Sequence, residues 1–194
     1  MDNKHVSFKE SRIIQTFILI FFVGVMCSFV PRESMVMLYI SLSLSILVLI
    51  IFFLLWRYNN HHSIRYFSLL SFVMLIALSF FFSMPLLRVF AGTFLMWLGF
   101  IVWVATGILS YIISEKIFLS ISGSKKTKAG PIIFIVFMLL IGFGTLVVNY
   151  AHLTKQPNAI VVCIFCYLIG ICLLYTSAAL LTSPERADKL KRTS

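Results

Sequence analysis

Along most of this chain there is no polar face to read. Apolar residues run on in long stretches, broken by short polar segments, with neither the period of two of a half-buried strand nor the period of 3.6 of a water-facing helix. Six stretches stand out, at 13–30, 35–56, 66–82, 89–113, 131–150 and 159–181. A helix crossing the ~30 Å hydrocarbon layer needs about 20 mostly apolar residues at ~1.5 Å of rise each. A β-barrel would show short alternating segments instead. The pattern predicts an all-α, polytopic membrane protein: a six-transmembrane-helix bundle. Only residues 83–88 separate the third and fourth spans. Pro85 and Arg88 predict a tight turn there, because proline disrupts a helix interior and an arginine within the bilayer is costly.

Orientation follows from the basic residues in the connections. The amino-terminal tail, the second and fourth connections and the carboxyl tail hold thirteen of the sixteen Lys and Arg; Arg32, Arg88 and Lys155 lie on the other side. This bias predicts both termini in the cytoplasm and a location in the cell membrane. Trp56, Tyr58 and Tyr66 fall at predicted cytoplasmic boundaries, where interfacial aromatics belong. The domain plan is a cytoplasmic tail at 1–12, a six-helix transmembrane domain at 13–181 and a basic cytoplasmic tail at 182–194. The first span reads as a retained helix, since its apolar run is too long for a signal peptide and no small-x-small cleavage pattern follows. The bulky Met26 before Cys27 argues against lipoprotein processing.

Composition narrows the function classes. The 194 residues are 61% hydrophobic and 11% charged, too apolar to cover a water-facing surface. That excludes a soluble enzyme, a disordered chain, a disulfide scaffold and a nucleic-acid-binding domain. The net charge of +10 sits in the short connections and tails, where its partner is the lipid bilayer, specifically anionic lipids at the basic cytoplasmic loops. Nucleic acid is not an expected partner. Other membrane subunits are.

No span carries an Asp, Glu, Lys, Arg or His near its middle, which weighs against a proton-coupled transporter, a pump or a membrane protease. There is no carboxylate pair for acid–base chemistry and no Ser–His–Asp set. His61 and His62 are adjacent, so their side chains diverge, and no metal site or cofactor is expected. The lysines at 125, 126 and 128 lack the strand, glycine spacing and helix of a phosphate loop. No catalytic residue is assigned.

Small residues form a clearer pattern. Gly92, Gly99 and Thr106 recur every seven positions in the fourth span, and Cys163, Gly170 and Ser177 do so in the sixth, with Cys166 four before Gly170. Ser41 and Ser45 add a pair in the second. Helices in lipid gain little hydrophobic drive from meeting, so they associate through small faces. These stripes are expected to line helix–helix seams, with a substrate passage as the alternative. Gly142 and Gly144 are expected in an ordinary packed fifth helix, with a loosened helix that frees backbone carbonyls, as in discontinuous transporter helices, as the alternative. On the outer side Arg32, Glu33, Arg88, Asn149, Tyr150, His152 and Lys155 gather. Arg88, Asn149 and Tyr150 are the candidate ligand-binding residues, Arg88 through a planar fork suited to a lipid phosphate or another anion. Snorkelling of Arg88 and helix–helix bonding of Asn149 are the structural alternatives.

The sharpest chemical motif is Cys163-Ile-Phe-Cys166, near the outer end of the sixth span, with Cys27 at similar depth in the first. It resembles the CxxC of membrane quinone-linked thiol oxidoreductases such as the vitamin K epoxide reductase and disulfide-bond-formation B families. The resemblance covers the tetrapeptide and its depth; a longer outer loop with a relay cysteine pair is missing. In size and topology the chain also resembles the substrate-binding components of energy-coupling-factor vitamin transporters, without their AxxxA docking pattern in the first span. The leading reading is non-enzymatic: a small permease-like protein or an integral subunit of a larger membrane complex. The alternatives are a membrane thiol oxidoreductase using Cys163 and Cys166, and a structural or lipid-interaction protein.

Overall fold

The computed structural model describes residues 5–114, 117 and 159–181. Five α-helices dominate: α1 (Ile13–Ser28), α2 (Met35–Asn59), α3 (Ser63–Val89), α4 (Phe94–Ile112) and α5 (Ala159–Ser177). Short 3-10 turns at Phe8–Glu10 and Ala178–Leu181 precede α1 and extend α5. Among the described residues, five helical segments are long and apolar enough to cross a membrane. The expected fifth span at 131–150 lies outside the described residues, as do the 118–130 connection and the basic carboxyl tail.

Local chemistry starts these helices. Ser34 caps α2, its side chain accepting from the Met37 N–H at 3.4 Å. Ser11 Oγ accepts from the Ile13 N–H at the start of α1, while Arg12 takes a left-handed φ of 57° at the junction. Large apolar side chains such as Ile14, Ile18, Phe22, Trp97 and Ile101 face outward. A surface of this kind belongs in lipid, where it needs no polar cover. The described chain is an all-α protein fitted to multi-pass embedding in a bilayer.

The longest helix, α3, lies at the centre and touches each of the other four. Tyr66, Leu70, Ala77, Leu78 and Phe81 bury its flanks, and Ser79, Ser83 and Pro85 are almost fully enclosed. Helix directions follow from the pairings. Gly24 faces the Phe81 ring and Ser28 meets Arg88, so α1 and α3 run parallel. Ser28 also meets Ser41 while Val6 meets Trp56, so α2 runs against them. Leu87 beside Gly99 and Ser79 beside Trp103 make α4 antiparallel to α3. Gly99 pairs with Tyr167 and Gly107 with Leu174, so α4 and α5 run the same way.

One boundary differs from the sequence expectation. The third helix does not end near Phe82; it continues through Pro85 to Val89, and the turn falls at residues 90–93. Pro85 is buried inside the helix. A missing N–H is tolerated in a membrane helix packed on its neighbours. The helix ends at its cap, Phe90, and in the turn that follows Gly92 has a φ of +78°, a left-handed conformation that glycine adopts without strain. Arg88 therefore sits in the last turn of α3, where a side chain reaches the helix end, rather than in a loop.

Candidate functional site

The end of the bundle where α1 stops and α3 turns into α4 holds the one predicted ligand-binding residue that is described. The last carbonyls of a helix lack intrahelical partners. At the end of α1 the Ser28 carbonyl is met by Arg88, which donates through one terminal nitrogen to it and to the Val30 carbonyl just beyond, at 2.9 and 3.0 Å. Its other terminal nitrogen donates to the Arg32 carbonyl at 2.8 Å. The guanidinium thus ties three carbonyls of the α1–α2 connection to α3, a use suited to a rigid planar fork and to the negative end of a helix dipole. Beneath it, the Ser28 hydroxyl donates to the Gly24 carbonyl at 2.8 Å and lies 2.9 Å from Ser41 Oγ. Asn149 and Tyr150 lie outside the described residues.

Beside Arg88 is an apolar recess of about 270 Å³ between the start of α2 and the α3–α4 turn, lined by Met37, Met84, Met96, Trp97 and Phe100. Unbranched methionines adapt to irregular shapes, so such a recess accommodates an acyl chain or another flexible apolar group. Arg88 sits at its rim as the charged group.

The thiols come together at the same end. Cys27 of α1 lies near Cys163 and Cys166 of α5, and Cys163 lies near Arg88. Cys163 has no exposed surface, Cys166 is half-buried, and all four cysteines are free thiols. Among the described residues no three His, Cys, Asp or Glu side chains converge as a metal site. Nothing in this arrangement lends support to the oxidoreductase alternative.

The small residues named from the sequence occupy different surroundings. A Cβ on Gly170 would lie 2.8 Å from the Ser79 carbonyl oxygen and 2.9 Å from Ser83 Oγ, so α5 approaches α3 backbone to backbone there. Ser177 is buried one layer below, its hydroxyl bonded to the Leu174 carbonyl. Gly99 abuts a Leu87 methyl, and its carbonyl accepts from the Tyr167 hydroxyl at 2.7 Å. Thr106 is half-buried and bonds its own helix at Val102. Gly92 is in the turn with nothing within 4 Å of where a Cβ would stand, so it serves the backbone rather than a seam. The counterparts on α3, Ser79 and Ser83, were not singled out in the sequence, although two serines four apart in an apolar helix were a visible signal. Ser79 also accepts from the Trp103 indole N–H at 2.9 Å, joining α3, α4 and α5 at one point.

No protein-family model matches this chain, and no curated protein or solved structure shows significant similarity to it.

Proposed function

We propose that the chain is a non-enzymatic protein of the cell membrane, a small permease-like protein or an integral subunit of a larger membrane complex, with the subunit reading favoured. The observation that carries it is the use of the inward polar groups described. Arg88 holds the end of α1, Tyr167 and Trp103 bond across helices, and Ser45 and Ser83 bond back to carbonyls four residues earlier. Arg88, Tyr167 and Trp103 tie helices to one another, and the serine hydroxyls are satisfied within their own helices, so among the described residues these inward polar groups are taken up by the bundle itself. Meanwhile α4, whose one buried residue is Ser110, presents Phe94, Leu98, Ile101, Ile108 and Leu109 outward. That face suits lipid or a second membrane polypeptide.

The six-span topology with both termini cytoplasmic belongs to this proposal. Because α4 and α5 run the same way, the chain between them has to return from one end of the bundle to the other. The apolar stretch 131–150 is suited to that crossing. Val6, Asn60, Arg65 and Leu181 meet at the opposite end from Arg88, which supports both tails emerging on one side. Anionic lipid at the basic tails and connections is the accompanying partner.

Purification in mild detergent followed by native mass measurement tests the choice. The subunit reading expects a second membrane polypeptide held at fixed stoichiometry. A single copy of the chain carrying a tightly held small molecule overturns it in favour of the permease-like reading.

A further inference from the structure

At the end opposite Arg88, the segment before α1 is built into the fold. The Val6 N–H donates to the Asn60 carbonyl at 2.8 Å, and the Trp56 indole N–H donates to the Val6 carbonyl at 3.1 Å. The Tyr66 hydroxyl donates to the Ser11 carbonyl at 2.8 Å. Val6 itself is 3% exposed. These anchors span α2, α3 and their connection, and beside them an open, predominantly polar cleft of about 540 Å³ lies between the segment, the first turn of α1 and the start of α3.

The lining is matched to an anion. Lys9, Arg12, Gln15 and His5 supply donors, and Phe67 forms an apolar wall. The Arg12 guanidinium carbon lies 5.8 Å from the Phe67 ring centroid, which holds that charge against the start of α3. The left-handed backbone at Arg12 turns the chain at the cleft edge. Among the described lining residues the carboxylate is that of Glu10, which accepts from the Ser7 N–H at 3.4 Å, and the two basic side chains outweigh it. The positive end of the α3 dipole opens beside Ser63. Just beyond Arg12, Ile14 and Ile18 are exposed along α1, 59% and 57% respectively, where the apolar part of an amphiphile would lie.

We infer that this cleft is a phosphate-binding site at the membrane boundary, taking the phosphate of an anionic lipid headgroup or of a free phosphate ester. The pairing of a guanidinium and an ammonium with neutral donors suits phosphate oxygens. The volume leaves room for the glycerol or sugar that such a phosphate carries. The inference rests on the bilayer reading above.

The test uses the full chain in detergent, with its melting temperature followed as each probe is added. The probes are short-chain phosphatidylglycerol, short-chain phosphatidylcholine and glycerol phosphate. Lys9→Gln with Arg12→Gln removes the two cations, and Lys9→Gln alone serves if the pair fails to fold. Lys125→Gln with Lys126→Gln removes equal charge from the fourth connection. Stabilisation by phosphatidylglycerol, weakened at least tenfold in apparent affinity by the Lys9 and Arg12 changes but not by the control, supports a lipid source. The same pattern with glycerol phosphate supports a free ester. Equal loss in both charge variants, or no difference between wild type and the Lys9 variants with any phosphate probe, overturns the site. Failure of the bilayer reading shows separately, as protein released from membranes by alkaline carbonate without detergent.

Discussion

At the scale of the residue, Arg88 and Gly92 show how single positions shape the connections between helices. The Ser28 carbonyl at the end of α1 and the Val30 and Arg32 carbonyls of the connection after it converge on one guanidinium, and hydrogen bonds to a charged group contribute about 1.5–3 kcal/mol each. Arg88→Met leaves those carbonyls facing an apolar neighbour, and a loss of about 2 kcal/mol or more is expected in detergent unfolding, with earlier proteolysis in the 29–34 connection. Arg88→Lys should recover only part, because a single ammonium cannot span the fork. An unchanged unfolding midpoint in Arg88→Met would show that the clamp contributes nothing. Gly92 has open space around it, so its replacement tests backbone conformation alone. Gly92→Ala is expected to destabilise by about 1 kcal/mol through its positive φ.

At the scale of the element, the informative comparison is between two glycines with different neighbours. Gly170 meets the backbone carbonyl of Ser79, which cannot move without shifting α3, whereas Gly99 meets the terminal methyl of Leu87, which can rotate aside. Gly170→Ala is therefore expected to cost about 1–3 kcal/mol by forcing α3 and α5 apart, and Gly99→Ala less than about 1 kcal/mol. Thermal melting of the two variants in one detergent reads the difference directly. Equal shifts would mean that the α3–α5 seam relaxes as easily as a side chain. The same logic explains why α3 tolerates Pro85: its contacts with four other helices hold it in place where an isolated helix would kink.

At the scale of the whole molecule, the parallel course of α4 and α5 makes topology testable without a partner or ligand. In an otherwise cysteine-free background, a cysteine at Lys125 should resist a membrane-impermeant thiol reagent in intact cells, and one at Lys155 should react. Reaction at Lys125 from outside would reverse the orientation, and identical behaviour at both positions would remove the crossing at 131–150. The lysine-rich connection, the tails and the phosphate cleft would all share the protected side.

The amino-acid sequence alone determined the solvent and the class of this protein, because the length of an apolar run is a local property set by bilayer thickness. It also marked the starts of α1 and α2 at Ile13 and Met35, where polar segments give way to apolar runs. It misplaced the end of α3, since Pro85 is a strong breaker in isolation and only burial among neighbours lets the helix pass through it. It could not pair Arg88 with carbonyls some sixty residues earlier, bring Cys27 to Cys163, or choose α3 as the hub. Those are long-range decisions. A helix that is apolar all round carries no stripe to say which face turns inward, so in lipid the seam is chosen by shape: where a glycine such as Gly170 finds a serine backbone such as Ser79, and that fit exists only once both helices are in place.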